Sequence, residues 1–121
     1  MNKKIKLSNF TIKNDSDRLT LISGPCLLEN DKMVYKVASK LSSLSKKYKF
    51  NLIFKCSFDK ANRSSHTSKR SQMSFNSAMD VLKTIKKDFK LSVTTDVHET
   101  SQISKLVEYI DVIQIPAFLS R

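Results

Sequence analysis

The feature that most constrains the fold of this chain is a regular alternation of short apolar segments with longer segments of helical periodicity. The apolar segments lie near 19–23, 51–55, 91–95 and 112–115. Alternation of this kind predicts an α/β fold with a parallel sheet and crossover helices. A shorter, partly alternating segment at about 4–12 predicts an N-terminal hairpin before the first of these strands.

Three helices are predicted between the four strands. In the first, apolar residues recur at steps of three and four, which places them on one face: Val34, Val37, Leu41, Leu44 and Tyr48. Asn30 is the expected N-cap, and Asp31 suits the first turn. The second helix is expected at about 75–88 and a short third one at about 100–108. The predicted order is β-α-β-α-β-α-β within one domain, 1–121.

The charge of the chain limits the partners that it can have. The formal net charge is +11, which favours an anionic partner. The chain has no arginine-rich run and no set of stacking aromatic residues, so we expect no nucleic-acid binding. No apolar run approaches the roughly 18 residues that span a bilayer, so we expect no membrane partner. Cys26 and Cys56 form no C-x-x-C pair, and the polar N-terminal residues do not resemble a secretory signal. We therefore expect free thiols and a cytoplasmic location.

Polar residues collect where the predicted strands end, and one cluster is rich in groups that bind anions. The segment FKCSFDKANRSS, 54–65, combines cations with short hydroxyl and amide side chains: Lys55, Ser57, Lys60, Asn62, Arg63, Ser64 and Ser65. Lysine acts as a point charge, and arginine can hold a phosphate through two parallel hydrogen bonds. In parallel α/β folds, ligands bind beyond the carboxyl ends of the strands. The alternative interpretation is a solvated basic loop.

The same segment resembles a family motif. FKCSFDKANRSS is similar to the K-A-S-F-D-K-A-N-R-S-S motif of the 3-deoxy-D-manno-octulosonate 8-phosphate synthases, with Cys56 in place of alanine. The stretches SGPCLLEN (23–30), TDVHE (95–99) and DVIQIPAFLSR (111–121) resemble further segments of that family, in the same order. The family fold is a (β/α)8 TIM barrel, and the resemblance implies that this chain is its N-terminal half, an incomplete barrel.

The resemblance implies a reaction and roles for individual residues. The family condenses phosphoenolpyruvate with D-arabinose 5-phosphate, for lipopolysaccharide biosynthesis. Lys55 and Lys60 match lysines that contact phosphoenolpyruvate, and Lys60 is a candidate catalytic proton donor. The remaining matches are Gln114 and Ala117 lining the same site, Asn62, Arg63 and Ser64 holding the sugar phosphate, Asp96 holding sugar hydroxyls, and Arg121 reaching a neighbouring subunit of a tetramer.

Cys26 implies a metal. In this family a cysteine at that position marks the metal-dependent class, and a thiolate ligand suits zinc or ferrous iron. The other family ligands belong to the second half of the barrel. His98 and Glu99 are not those ligands. We interpret His98 as either a supporting residue near the site or a structural one.

Two other functions stay open. A 3-deoxy-arabino-heptulosonate 7-phosphate synthase shares the barrel and phosphoenolpyruvate, but its motif runs Lys-Pro-Arg-Thr where this chain has Asn62-Arg63-Ser64. A non-catalytic remnant could bind sugar phosphate or associate with another half-chain. We expect the chain to be a fragment that is inactive alone, and to work as a homo-oligomer or with a complementing C-terminal half.

Overall fold

The computed structural model describes residues 3–59 and 73–120, and it confirms the α/β prediction. Four parallel strands form one sheet, in which they lie side by side in their order along the chain: Thr20–Ser23, Asn51–Lys55, Ser92–Asp96 and Val112–Gln114. The elements are β1 (Lys4–Lys6), β2 (Thr11–Lys13), β3 (Thr20–Ser23), α1 (Asp31–Tyr48), β4 (Asn51–Lys55), α2 (Phe75–Phe89), β5 (Ser92–Asp96), α3 (Ile103–Leu106) and β6 (Val112–Gln114). Consecutive parallel strands joined by helices are the arrangement of successive barrel units.

The two long helices begin at side-chain caps and end in left-handed residues. The Asn30 side chain accepts a hydrogen bond from the Met33 backbone nitrogen at 3.1 Å, which confirms the predicted N-cap of α1. Ser74 caps α2 in the same way through the nitrogen of Ser77 at 3.2 Å. Lys49 and Lys90 end the helices with φ of 56° and 53°. Glycine usually occupies this position, so both helices end at some cost in backbone strain.

The third helix differs from its prediction. A single helix was expected at about 100–108, but a 3-10 turn at Thr100–Gln102 precedes the short helix α3. The Gln102 side chain accepts hydrogen bonds from the backbone nitrogens of His98 and Glu99, at 3.0 and 3.2 Å. These two bonds hold the chain in a tight first turn that apolar periodicity does not reveal.

The core lies between the sheet and helices α1 and α2. Its largest fully buried side chains include Phe54 of β4, Val93 of β5, Val34 of α1, and Leu82 and Ile85 of α2. The sheet and the two helices are therefore fixed to each other by one shared apolar layer. None of the helices in the described residues is both long and apolar enough to cross a membrane.

The N-terminal hairpin lies against the start of β5. Strands β1 and β2 pair antiparallel, and the turn between them carries Ser8 and Asn9. The Asn9 amide nitrogen donates to the Lys90 carbonyl at 3.0 Å, while the Ser92 hydroxyl bonds to Asn9 Oδ1 and lies 3.2 Å from the Ser8 hydroxyl. The hairpin therefore covers the amino end of the sheet and leaves the carboxyl end for ligands.

Candidate active site

The ends of β3 and β4 approach each other so closely that one position must be glycine. Gly24, which follows β3, is the only glycine of the chain. A Cβ atom built there would lie 1.8 Å from the Lys55 carbonyl oxygen, well inside any tolerated contact. The absence of a side chain lets the segment that carries Cys26 pass directly over the end of β4.

Lys55 ends β4 with its ammonium group held in place. Its Nζ atom donates to the Ser57 hydroxyl at 2.7 Å, and Ser57 is buried. The Ser57 carbonyl in turn accepts from the Leu28 backbone nitrogen at 2.8 Å, which links the β4 end to the segment after β3. Lys55 forms no ion pair with a carboxylate of the described residues. A fixed, half-buried cation with no counter-charge in the described part of the chain is suited to an anionic ligand at this edge.

Asp96 ends β5 and forms a close pair with His98. Asp96 Oδ2 lies 2.7 Å from His98 Nε2, and the two side chains are only 8% and 13% exposed. The His98 ring stacks on Phe58 with a centroid distance of 5.3 Å. Asp96 Oδ1 and the Thr95 hydroxyl are buried and have no hydrogen-bond partner within the described residues. A buried carboxylate oxygen without a partner is rare in folded proteins, so Asp96 Oδ1 points to a role for a ligand or ion.

The two cysteines occupy different environments at the same edge. Cys26 is exposed and Cys56 is fully buried. The pKa of the Cys56 thiol is raised to about 12, mainly by burial; the Lys55 cation lowers it, and the nearby Asp96 and Cys26 make smaller contributions that raise it. The Cys26 thiol is therefore close enough to the end of β4 to affect the pKa of the Cys56 thiol.

The fit of this edge to a metal rests on Cys26 alone. Among the described residues, no three His, Cys, Asp or Glu side chains come together in a way that could hold an ion. An exposed thiol at the end of β3 can supply one soft ligand to zinc or iron. The described residues thus fit a metal as one contributor to a site and not as a complete set.

The structure places the other predicted residues as far as it describes them. Gln114 ends β6 directly opposite Asp96 in the strand register, and its carbonyl accepts from the Val97 nitrogen at 3.0 Å. Ala117 begins a 3-10 turn just beyond that strand. Lys55, Ser57, Asp96, Gln114 and Cys26 thus all lie at the carboxyl edge of the sheet. Five predicted site residues lie outside the described residues: Lys60, Asn62, Arg63, Ser64 and Arg121.

One contributor to this edge, Phe58, had no role predicted from the sequence. Phe58 lies within the basic segment 54–65, where roles were predicted only for charged and polar residues. Phe58 also makes an edge-on contact with Phe75 at the start of α2, at 5.1 Å between centroids. Thr95 belongs to the polar segment 95–99 at the end of the third predicted strand, but only the structure shows that its hydroxyl is buried and has no partner in the described residues.

A family model decides the relationship of this chain to known proteins. The model described as the DAHP synthetase I family matches residues 3–121. The chain belongs to the DAHP synthetase I family. This is a TIM-barrel family, so the four parallel strands are the part of the barrel that the sequence predicted.

Curated members of the DAHP synthetase I family sharpen the relationship. Proteins named 2-dehydro-3-deoxyphosphooctonate aldolase are 39% identical in Francisella tularensis subsp. holarctica, 43% in Wolinella succinogenes and 41% in Rhizobium meliloti. The alignments cover 97%, 85% and 89% of this chain. That name denotes the octulosonate 8-phosphate synthases, so the resemblance seen in the motifs is confirmed. The chain spans only 42%, 39% and 38% of these relatives' lengths.

Proposed function

We propose that this chain carries the N-terminal part of the active site of a 3-deoxy-D-manno-octulosonate 8-phosphate synthase. The observation that carries the proposal is a fixed cation and a buried carboxylate at one sheet edge, Lys55 and Asp96. The cation suits the charges of phosphoenolpyruvate, and the carboxylate suits sugar hydroxyls. The names of the relatives support this substrate pair, and so does the Asn62-Arg63-Ser64 segment.

In the proposed reaction, C3 of phosphoenolpyruvate forms a bond to the aldehyde carbon of open-chain arabinose 5-phosphate. Water adds at C2, and inorganic phosphate leaves by cleavage of the C2–O bond. Lys55 and Lys60 neutralise the anionic groups of phosphoenolpyruvate, while Gln114 and Ala117 line its site. Lys60 also donates a proton to the alkoxide that forms from the aldehyde. Fixed cations act here because charge develops in the transition state where they already lie.

The sugar phosphate occupies the remaining predicted positions. Asn62, Arg63 and Ser64 hold it, with Arg63 and Ser64 at the phosphate, and Asp96 orients its hydroxyls. Arg121 reaches the sugar phosphate of a neighbouring subunit, so the proposal includes a homotetramer. Cys26 would hold a zinc or ferrous ion, which would supply a Lewis acid for the aldehyde oxygen. Ser57 keeps the Lys55 ammonium in place at 2.7 Å.

The proposal also includes a cellular setting. The product serves lipopolysaccharide biosynthesis, and the enzyme works in the cytoplasm, where the two free thiols would remain reduced. Neither nucleic acid nor a membrane surface is part of the proposal. The chain matches about two fifths of each relative, and the proposal assigns the rest of the barrel to a C-terminal half.

One observation favours a second candidate function, a non-catalytic binding protein. The sheet of the described residues has two outer strands, β3 and β6, and the apolar side chains of Ile22 and Ile115 near them are 55% and 63% exposed. A chain that presents such edges can associate with another half-barrel without turnover of its own. It would still bind arabinose 5-phosphate through Asp96 and the basic segment.

Binding measurements on the chain itself test the proposed site. Calorimetry should detect both phosphoenolpyruvate and arabinose 5-phosphate. The substitution Lys55→Met should weaken phosphoenolpyruvate by about tenfold, because it removes a charge-assisted contact. Lys40→Met, on the exposed side of α1, makes the same change of charge away from the site and should leave the affinity within about twofold. Equal losses in the two variants would contradict a specific site.

Turnover separates the two candidate functions. Phosphate release from phosphoenolpyruvate and arabinose 5-phosphate should be measured with and without chelator, for the chain alone and with a C-terminal half of a relative. Release that requires the added half and is lost in Lys60→Ala supports the enzyme. Binding without release in either mixture supports the binding protein. A preference for a four-carbon sugar phosphate would instead favour the heptulosonate synthase.

A further inference from the structure

His98 is fixed from three sides although it has no role in the proposed reaction. Its Nε2 atom lies 2.7 Å from Asp96 Oδ2, and its ring stacks on Phe58 at an interplanar angle of 29°. Its backbone nitrogen donates to Gln102 Oε1 at 3.0 Å. A side chain held by its ring face, its ring nitrogen and its backbone has one orientation, which a mobile surface histidine lacks.

This orientation determines what Asp96 can offer to a ligand. A carboxylate only accepts hydrogen bonds, so the nitrogen that faces Oδ2 must carry the proton. His98 therefore uses one carboxylate oxygen of Asp96 and leaves the other, Oδ1, which is buried and unpartnered in the described part of the chain. Such an oxygen is costly to leave without a donor, and a ligand hydroxyl can supply one.

We propose that His98 is a positioning residue, which holds Asp96 so that Oδ1 accepts a hydrogen bond from one hydroxyl of the sugar phosphate. This inference rests on the proposed function, because the hydroxyl belongs to the proposed substrate. Phe58 contributes by stacking on the imidazole ring, with 5.3 Å between the two ring centroids.

Two substitutions separate the hydrogen bond from the ring stack. His98→Phe keeps an aromatic ring against Phe58 but removes the donor to Asp96. His98→Gln removes the ring but places an amide nitrogen near the position of Nε2. If His98 is only structural, His98→Phe should preserve arabinose 5-phosphate affinity better than His98→Gln. If His98 positions Asp96, His98→Gln should preserve it better.

Calorimetric titration of arabinose 5-phosphate into the wild-type chain and both variants tests the inference. We expect His98→Phe to weaken binding by about tenfold and His98→Gln to stay within about threefold of wild type, as for a hydrogen bond to a charged group. For the deoxy analogue that lacks the hydroxyl bound by Oδ1, the His98→Phe penalty should disappear. Phosphoenolpyruvate affinity should not change. His98→Phe binding the sugar as tightly as wild type, or losing every analogue by one common factor, would overturn the inference.

A nitrogen-15 spectrum of the His98 ring gives a second measurement that needs no substrate and no aromatic variant. We expect a protonated Nε2, with a chemical shift that changes in Asp96→Asn. A ring protonated only at Nδ1 would overturn the inference even if the variants fail to fold. Absence of arabinose 5-phosphate binding by the wild-type chain would contradict the proposed function itself, while the spectrum would still decide whether His98 donates to Asp96.

Discussion

Buried polar groups at the two ends of the four-stranded sheet differ in whether they have hydrogen-bond partners. At the amino end, Ser92 is buried and bonded to the hairpin, and Asp111 accepts from both Lys86 and the Val93 backbone nitrogen at 2.9 Å. At the carboxyl end, Asp96 Oδ1 and the Thr95 hydroxyl are buried without partners in the described residues. Paired groups stabilise a fold, and unpaired ones are tolerated where a ligand completes them. Substitutions at the amino end should therefore cost stability, and substitution of Asp96 at the carboxyl end should cost binding.

The largest expected effect is at Asp111. Its side chain is 7% exposed, and its replacement by alanine leaves the buried Val93 backbone nitrogen without an acceptor. We expect Asp111→Ala to lower the free energy of unfolding by about 2 kcal/mol in urea denaturation. Asp80→Ala, which removes an exposed carboxylate of α2, should change it by less than about 0.5 kcal/mol. Similar changes in the free energy of unfolding for the two variants would show that the hydrogen bonds of Asp111 do not stabilise the fold.

A smaller loss is expected where the hairpin meets β5. Ser92→Ala removes the hydroxyl that bonds to Asn9 and Ser8, and should cost about 1 kcal/mol. A double-mutant cycle with Asn9→Ala measures the coupling between the hairpin and the strand. If the two substitutions add without coupling, the hairpin does not contribute to the amino end through this contact.

The opposite sign is expected at Thr95. The Thr95 hydroxyl is fully buried and unpaired in the described residues, and Thr95 lies on the same strand face as Val93, toward the helix layer. Valine has the same shape without the hydroxyl, so Thr95→Val should raise the free energy of unfolding by about 0.5–1 kcal/mol. Arabinose 5-phosphate affinity should not change, because the opposite face carries Asp96. A destabilised Thr95→Val would show that the hydroxyl has a partner, such as water, and would weaken the contrast between the two ends.

The sequence predicted the fold better than the details of the site, for physical reasons. The order of strands and helices along the chain and the Asn30 cap depend on local pattern, and both are confirmed. Lys55 and Asp96 were predicted as site residues because they end strands of a parallel sheet. The contact between Phe58 and His98 joins residues from two different strand ends, so no local pattern encodes it. The roles of Lys60 and Arg63 stay predictions, because these residues lie outside the described part of the chain.

The smallest effect at neutral pH concerns Cys56, which lies where the motif family has alanine. Burial raises the pKa of its thiol from 9.0 to about 12, so the folded chain keeps a proton that the unfolded chain releases. Below pH 9 neither state releases it, and the thiol adds no pH dependence. Between pH 9 and 12 unfolding releases the proton, so stability falls as pH rises.

Cys56→Ala removes this titration while keeping the small side chain of the family motif. The free energy of unfolding should be measured at pH 7.5 and 10.5 for both chains, so that lysine and tyrosine titrations cancel in the difference. We expect wild type to lose more stability than Cys56→Ala over this interval. Parallel losses would mean that the thiol ionises as readily in the fold as in the unfolded chain. Water would then reach the Cys56 thiol, and the apolar layer between the sheet and the helices would be open at the carboxyl end of β4.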